Sequence, residues 1–310
     1  MSQSRFEQAF RTTLAQLNAG TLDAAAASCA GLVRLRPDDP AVLQLQATIA
    51  LRSGDPVLAL RTMLRGLAFR PGHVPSLILA AQAALGAGLP GQAVPLLHEA
   101  IARAPDLPEP AFLLCHALLD LNRTADDDAA LDAALRQTAA RHADRAADWQ
   151  HLGLALQRKH QPKAALAAFT RAVAADPTLA AAYFGRGLLL RDAGRMDEAG
   201  AALRQAVATD PSASGAWFAL GLTCQDLGNE AEAAAAFQAA LRERPAFAEA
   251  AVNLGIARQR LGDMPGAMQA YRTAMHIRPD TFGRIAQAVT AAGTGMLWLD
   301  TAAFRRALGA

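Results

Sequence analysis

Prolines recur along this chain at a fixed interval of 34 residues. The prolines that keep the interval are Pro37, Pro71, Pro105, Pro177, Pro211, Pro245 and Pro279. The step from Pro105 to Pro177 is 72 residues, which equals two intervals plus four residues. A constant period of this length is the mark of a chain built from stacked repeats, and the longer step predicts one irregular unit between those two prolines.

The composition predicts that these repeats are helical. Alanine is abundant, aromatic residues make up 5% of the chain and β-branched runs are scarce, which favours packed helices over sheets. The net charge of +2 excludes the concentrated positive charge that binding to a phosphate backbone requires, so we expect no nucleic-acid partner. Three well-separated cysteines in apolar helical patterns predict buried thiols in place of a disulfide framework.

Other residue types recur in phase with the prolines. Three of the four downstream units carry a bulky residue early in the first half, with Ala251 as the exception, and all four carry a small residue four positions later. A glycine lies at mid-unit in three of them, at Gly194, Gly228 and Gly262. In the unit at 180–213 the three residues are Tyr183, Gly187 and Gly194. The second half then offers a small residue followed by a bulky one, as in Ala199 and Leu203. This order predicts two antiparallel helices that come closest at the small residues, with a large side chain filling the gap beside them.

Together these columns resemble the tetratricopeptide repeat family, whose 34-residue unit carries Trp, Leu-Gly, Tyr, Ala, Phe, Ala and Pro in about this order. The resemblance implies an all-α fold, a right-handed α-α superhelix of about eight helical hairpins followed by a C-terminal capping helix. Well-matched repeats are expected in region 146–281, and degenerate ones, which keep the turn glycine but lose the Leu-Gly pair, in region 1–145. The expected repeats span 6–39, 40–73, 74–107, 108–145, 146–179, 180–213, 214–247 and 248–281, with capping or docking helices at 282–310.

Two segments allow alternatives. The irregular repeat has four extra residues near Asn122 to Asp128, and its aspartates, Asp126 to Asp128, either cap a helix or form an acidic docking site. The apolar segment from Met296 to Leu308 either folds back as a second capping helix or docks a partner or a second copy of the chain.

In the family that this chain resembles, the first helices line the concave face and ligands usually lie there. The repeat phase assigns a set of side chains to that face with an apolar floor and a rim of glutamine and arginine. They are Gln150, Leu154, Gln157, Phe184, Leu188, Arg191, Phe218, Leu222, Gln225, Val252, Asn253, Ile256 and Gln259. Such a groove suits an amphipathic helix or an extended peptide, although neighbouring helices that cover the apolar residues would explain the same pattern.

The sequence proposes no catalytic, metal or cofactor site. The seven histidines are scattered without metal-ligand spacing, and no glycine-rich phosphate loop follows a strand. We therefore expect a non-catalytic scaffold or adaptor for a protein or peptide partner, without cofactors. The alternatives are a regulatory or substrate-docking subunit of a separate transferase or hydroxylase, and a homo-oligomer formed through the array ends or residues 294–310.

The expected location is the cytoplasm, because no apolar stretch is long enough to span a bilayer and the first residues form no hydrophobic signal core. Arginine outnumbers lysine 28 to 2, which suggests a GC-rich bacterial genome.

Overall fold

The computed structural model describes residues 3–121, 125–291 and 301–309. These residues form α-helices and a single 3₁₀ turn at Pro279–Thr281, with no strand among them, so the all-α repeat fold is confirmed. The chain divides into two compact units, Met1–Arg145 and Ala146–Ala310. None of the described helices is long and apolar enough to cross a membrane.

The first unit contains four helical hairpins. Its helices are α1 (Gln3–Asn18), α2 (Leu22–Leu35), α3 (Pro40–Arg52), α4 (Pro56–Phe69), α5 (Val74–Gly86), α6 (Pro90–Arg103), α7 (Pro108–Asp120) and α8 (Ala125–Arg141). Each odd-numbered helix packs against the next helix in the chain, and each hairpin then packs against the next hairpin.

The second unit repeats the same arrangement and ends in two shorter helices. Its helices are α9 (Ala146–Arg158), α10 (Pro162–Ala175), α11 (Ala180–Asp192), α12 (Met196–Thr209), α13 (Ser214–Asp226), α14 (Glu230–Glu243), α15 (Ala248–Arg260), α16 (Met264–Ile277), α17 (Phe282–Ala291) and α18 (Thr301–Leu308). The four hairpins from α9 to α16 each pair a helix of 13 residues with one of 14.

Seven hairpin turns are described by the structure, and each has one residue with a left-handed backbone. Gly194 supplies it between α11 and α12, with φ of +75°, and the other turn glycines that the sequence predicts also have positive φ. In the turn between α9 and α10 the same position holds His160, with φ of 56°. The turn is therefore kept where glycine is lost, since the packed hairpin fixes the path of the chain.

The irregular repeat takes up most of its four extra residues in its second helix. Helix α8 has 17 residues, three more than the second helices of the other hairpins. Its first residue is Ala125, so Asp126 to Asp128 fall in the first turn, where carboxylates are favoured by the helix dipole. The side chains of Asp126 and Asp127 lie outside the described residues.

The two helices of a hairpin come closest where the sequence places its small residues. A Cβ atom added to Gly221 of α13 would lie 2.5 Å from the ring of Phe237 in α14, and one added to Gly255 would lie 2.2 Å from the ring of Tyr271. Both rings are fully buried. The predicted approach is therefore confirmed, and glycine is what allows an aromatic ring to fit beneath the first helix.

A methyl side chain at position 221 should therefore destabilise the protein. We expect Gly221→Ala to lower the free energy of unfolding by about 1 to 3 kcal/mol, because the added Cβ overpacks against Phe237. Gly215→Ala in the same helix is the matched control, since its Cβ would meet Phe184 at an ordinary 3.7 Å, and it should be neutral or slightly stabilising. Urea denaturation followed by circular dichroism measures both. Adding Phe237→Leu should rescue Gly221→Ala in part, and equal losses at positions 215 and 221 would contradict the packing account.

The three cysteines are free and buried, as the sequence predicts. Burial raises the pKa of the Cys29, Cys115 and Cys224 thiols to about 11. A thiol with a raised pKa is protonated at neutral pH and is a poor nucleophile.

We expect none of these thiols to react with iodoacetamide at pH 8 in the native protein. All three should react once the chain is unfolded in guanidinium, because unfolding removes the burial that raises the pKa. Intact-mass spectrometry before and after denaturation counts the adducts. Rapid labelling of a native thiol would show that the hairpin around it opens.

Candidate functional site

The first helices of the second unit, α9, α11, α13 and α15, carry the side chains that the sequence assigns to a ligand face. We call the surface formed by these side chains the first-helix face. Its floor is apolar, and two phenylalanines join successive first helices. The ring of Phe184 in α11 reaches Gly215 of α13, where an added Cβ would lie 3.7 Å from it. The ring of Phe218 lies 4.7 Å from that of Phe247, the residue that precedes α15, measured between centroids.

These phenylalanines contribute to the hydrophobic core as well as to the surface. Phe218 also packs against Phe237, with ring centroids 5.7 Å apart, and both Phe184 and Phe218 are half-buried against the same core cluster. The guanidinium of Arg244 covers the outer side of Phe247, 3.3 Å from the ring centroid. Substitution at Phe184 or Phe218 would thus change packing and surface together, so neither residue separates binding from stability.

The leucine column is the more accessible part of the floor. Leu154 is 41% exposed, while Leu188, Leu222 and Ile256 at the same position of later repeats are half-buried. Their recurrence every repeat places one aliphatic side chain on each first helix. An exposed leucine in line with three partly exposed neighbours forms an apolar strip of the kind that side chains of a partner can cover.

Polar side chains border the leucine column. Gln150, Gln157, Arg191 and Gln225 are half-buried. The Arg191 guanidinium pairs with the Asp226 carboxylate across α11 and α13, with 3.3 Å between Nη2 and Oδ2. The Gln150 Oε1 atom is buried and has no hydrogen-bond partner among the described residues. A buried acceptor without a donor costs free energy, which a hydrogen bond from a ligand would recover.

Three of the predicted face residues are buried in the structure and offer little surface to a partner. Val252, Asn253 and Gln259 are buried, whereas the counterparts of Val252 and Gln259 in α11 and α13 are half-buried. Helix α17 covers Val252 and Gln259, whereas the position of Asn253 is buried in α11 and α13 as well, at Gly185 and Ala219. A repeat register alone treats every first helix alike, and it misses the difference that the end of the array makes.

Helix α17 is held on α15 by apolar and polar contacts. Ile285 and Val289 are fully buried in one cluster with Val252. The Gln259 side-chain amide donates to the Ala288 carbonyl at 3.1 Å, and its oxygen accepts from the Tyr271 hydroxyl at 2.9 Å.

A charged group completes this contact. The Arg284 guanidinium donates to the Asn253 side-chain oxygen at 2.8 Å. The pattern of Ile285 and Val289, four residues apart on one helix face, was visible in the sequence, but the surface that they cover was not.

The last helix also folds back onto the array. Phe304 and Leu308 of α18 are buried, and Arg272 of α16 donates from Nε to the Ala307 carbonyl at 2.9 Å. The Phe304 ring lies 5.6 Å from that of Phe282, measured between centroids. Helix α18 thus packs against α16 and α17, while residues 294–300, with Trp298, lie outside the described part of the chain.

The described residues contain no group of three or more His, Cys, Asp or Glu side chains arranged to hold a metal ion. In chemical terms the first-helix face offers apolar contact area and hydrogen-bonding amides. Groups of this kind are common where proteins bind polypeptides, and none of those named on this face is a nucleophile or a general base poised for reaction.

Comparison with known proteins agrees with this architecture. The profile described as Tetratricopeptide repeat matches residues 152–214, 197–246 and 218–280. No protein of curated function matches the sequence. Among solved structures, "YrrB: a TPR protein with an unusual peptide-binding site" aligns over 63% of this chain and 98% of its own, at 21% identity and a TM-score of 0.50.

The protein MamA aligns less closely. One crystal structure of it covers 55% of this chain and 93% of its own at 21% identity, with a TM-score of 0.46. Another, of MamA from Desulfovibrio magneticus RS-1, covers 67% and 96% at 18% identity, with a TM-score of 0.43. At these identities the structural likeness concerns the fold alone. The profile matches and the packed hairpins together show that residues 152–280 of this chain consist of tetratricopeptide repeats.

Proposed function

We propose that this protein is a non-catalytic scaffold that binds a peptide or helix of a partner protein on its first-helix face. The fold is that of a protein-interaction module. The observation that carries the finer proposal is the apolar strip around Leu154, which is 41% exposed and continues through Leu188 and Leu222. Aliphatic anchors with a polar rim are the usual features of a helix-binding groove.

The proposed groove runs over α9, α11 and α13 and ends at α15. At α15 the covering helix α17 already occupies the face through Ile285 and Val289. The segment that covers α15 is therefore an internal example of what the face accepts, an amphipathic helix with two aliphatic side chains one turn apart. The unpartnered Gln150 oxygen lies at the opposite end and is suited to a backbone or side-chain N–H of the partner.

This proposal includes no chemistry at the three cysteines, whose thiols are buried and have a raised pKa. Because the binding face uses surface leucines and glutamines, affinity should depend on side-chain contact and little on salt. The cytoplasmic location, the docking role for a separate enzyme and self-assembly stay predictions.

A charge placed in the apolar strip should abolish binding. Peptides selected from a displayed library against the full chain serve as probes. We expect Leu154→Glu to lower the affinity of these peptides about tenfold or more, because a carboxylate cannot be buried beneath an apolar anchor. Leu261→Glu is the matched control, since Leu261 is 51% exposed at the end of α15, away from the strip, and binding should be unchanged. Fluorescence anisotropy of labelled peptides gives the affinities, and thermal melting shows that both variants are folded. Selected peptides that bind Leu154→Glu as tightly as the wild type would refute the proposed site.

Release of α17 should uncover the end of the face. We expect Val289→Asp to detach this helix, because a carboxylate replaces a fully buried aliphatic side chain in the contact with Val252. Hydrogen exchange measured by mass spectrometry should rise in residues 282–291 and in α15, while α9 to α13 stay protected. Gln287→Asp, at an exposed position of the same helix, should leave exchange unchanged. Uniformly faster exchange throughout the second unit would mean that α17 is needed for the whole array and does not act as a local cover.

A further inference from the structure

A cavity of about 350 Å³, open to solvent on one side, lies in the first unit, within the irregular repeat and the helix before it. Its walls come from α6, α7 and α8, with apolar lining from Ile101, Leu114 and Ala134. The volume lies in the range of small-molecule sites, which begins at about 300 Å³. It is also larger than the engineered apolar cavity of about 150 Å³ that is known to bind benzene.

The repeat register explains why the cavity exists. Ala111 lines it and is the fourth residue of α7. The fourth residue of the first helix is Trp149 in α9, Tyr183 in α11 and Trp217 in α13, and the Trp149 ring is fully buried. In α15 this residue is also alanine, Ala251, but there it is buried in the cluster that the capping helices complete. Among the described residues no capping helix packs on α7, and the cavity is the space left by the missing ring.

In the regular repeat, a hydrogen-bond acceptor lies beside the side chain at this position. In the regular repeat, the Trp217 indole N–H donates to the Pro211 carbonyl at 2.8 Å. Pro105 holds the place of Pro211 in the repeat that contains Ala111, and Pro105 lines the cavity. An aromatic molecule with an N–H or O–H on its ring could therefore donate a hydrogen bond to the Pro105 carbonyl, as Trp217 does to the Pro211 carbonyl.

The other side of the cavity is polar. Gln137, Thr138, Arg141 and His142 line it, and no acidic side chain is among the described residues of the lining. The Thr138 hydroxyl donates to the Ala134 carbonyl at 2.8 Å, so its oxygen can still accept a hydrogen bond. Arg141 brings a guanidinium, which suits a carboxylate in particular because its N–H groups match the two oxygens.

We propose that this cavity is a binding site for a small aromatic carboxylate of indole or phenol type. The ring takes the place of the missing repeat side chain beside Ala111, with its N–H or O–H toward the Pro105 carbonyl, and the carboxylate faces Arg141. This site is separate from the first-helix face and does not depend on the function proposed for it.

Indole-3-acetate and indole are the probes, each titrated against the full chain and followed by saturation-transfer NMR. Wild-type protein should bind both, with the acetate bound more tightly. Ala111→Trp should lower the affinity for both probes about tenfold or more, because the new side chain occupies the cavity. Ala111→Leu should do the same with less risk to folding, since the first unit already has Leu43 and Leu77 at this position.

Arg141→Gln tests the orientation of the ligand. It should weaken indole-3-acetate by about threefold or more and leave indole unchanged, because only the carboxylate meets the guanidinium. Arg136→Gln is the matched control, an exposed arginine of α8 that does not line the cavity, and it should change neither affinity.

Three results would overturn the proposal. One is no saturation transfer from either probe to the wild type at about 1 mM, which corresponds to the weakest specific binding expected of a fragment. Another is equal binding by wild type, Ala111→Leu and Ala111→Trp, which places the probes elsewhere on the chain. The third is binding of an aromatic residue within a peptide but of neither free probe, which assigns the cavity to a protein partner.

Discussion

The close approach of the two helices in each hairpin is the constraint on which the rest of the structure depends. Where the second helix contributes an aromatic ring, as at Phe237 and Tyr271, the facing residue is glycine and even one Cβ would clash. In the first unit the same two positions hold Ala47 with Met63 in one hairpin and Ala81 with Leu97 in another. In these two hairpins a smaller filling residue accompanies a larger facing one, while in the hairpin of α11 and α12 Gly187 faces Leu203 and an added Cβ would also clash.

This constraint applies to the side chains between the two helices of a hairpin, so the residue types on the first-helix face are free to vary. Residues that face the partner helix of the hairpin are small or tightly fitted, whereas those on the first-helix face alternate between leucine, glutamine and phenylalanine. Phe184 and Phe218 also bridge successive first helices, so they link the recognition surface to the core. Leu154 has no such second role, and it is the better site for testing recognition without loss of stability.

In the irregular repeat, an open space lies between the helices. Its second helix is three residues longer than the others, and the fourth residue of its first helix is alanine. Neighbouring repeats cannot close on the space, because each is fixed by its own hairpin. A cavity with a polar side therefore remains between α6, α7 and α8.

The sequence by itself determined the period, the helical hairpins, the turn glycines such as Gly194 and the fit of small residues against large ones. All of these depend on spacing within one repeat, and interactions between residues close in sequence decide them. Only the tertiary structure decided that Val252 and Gln259 are covered by α17, and that Ala111 lines a cavity. The physical reason is that the exposure of a side chain depends on which other elements pack against its helix. Residues at one repeat position share a helix face, but whether that face meets solvent depends on which neighbour packs there, and the end of an array or an irregular unit has a different neighbour.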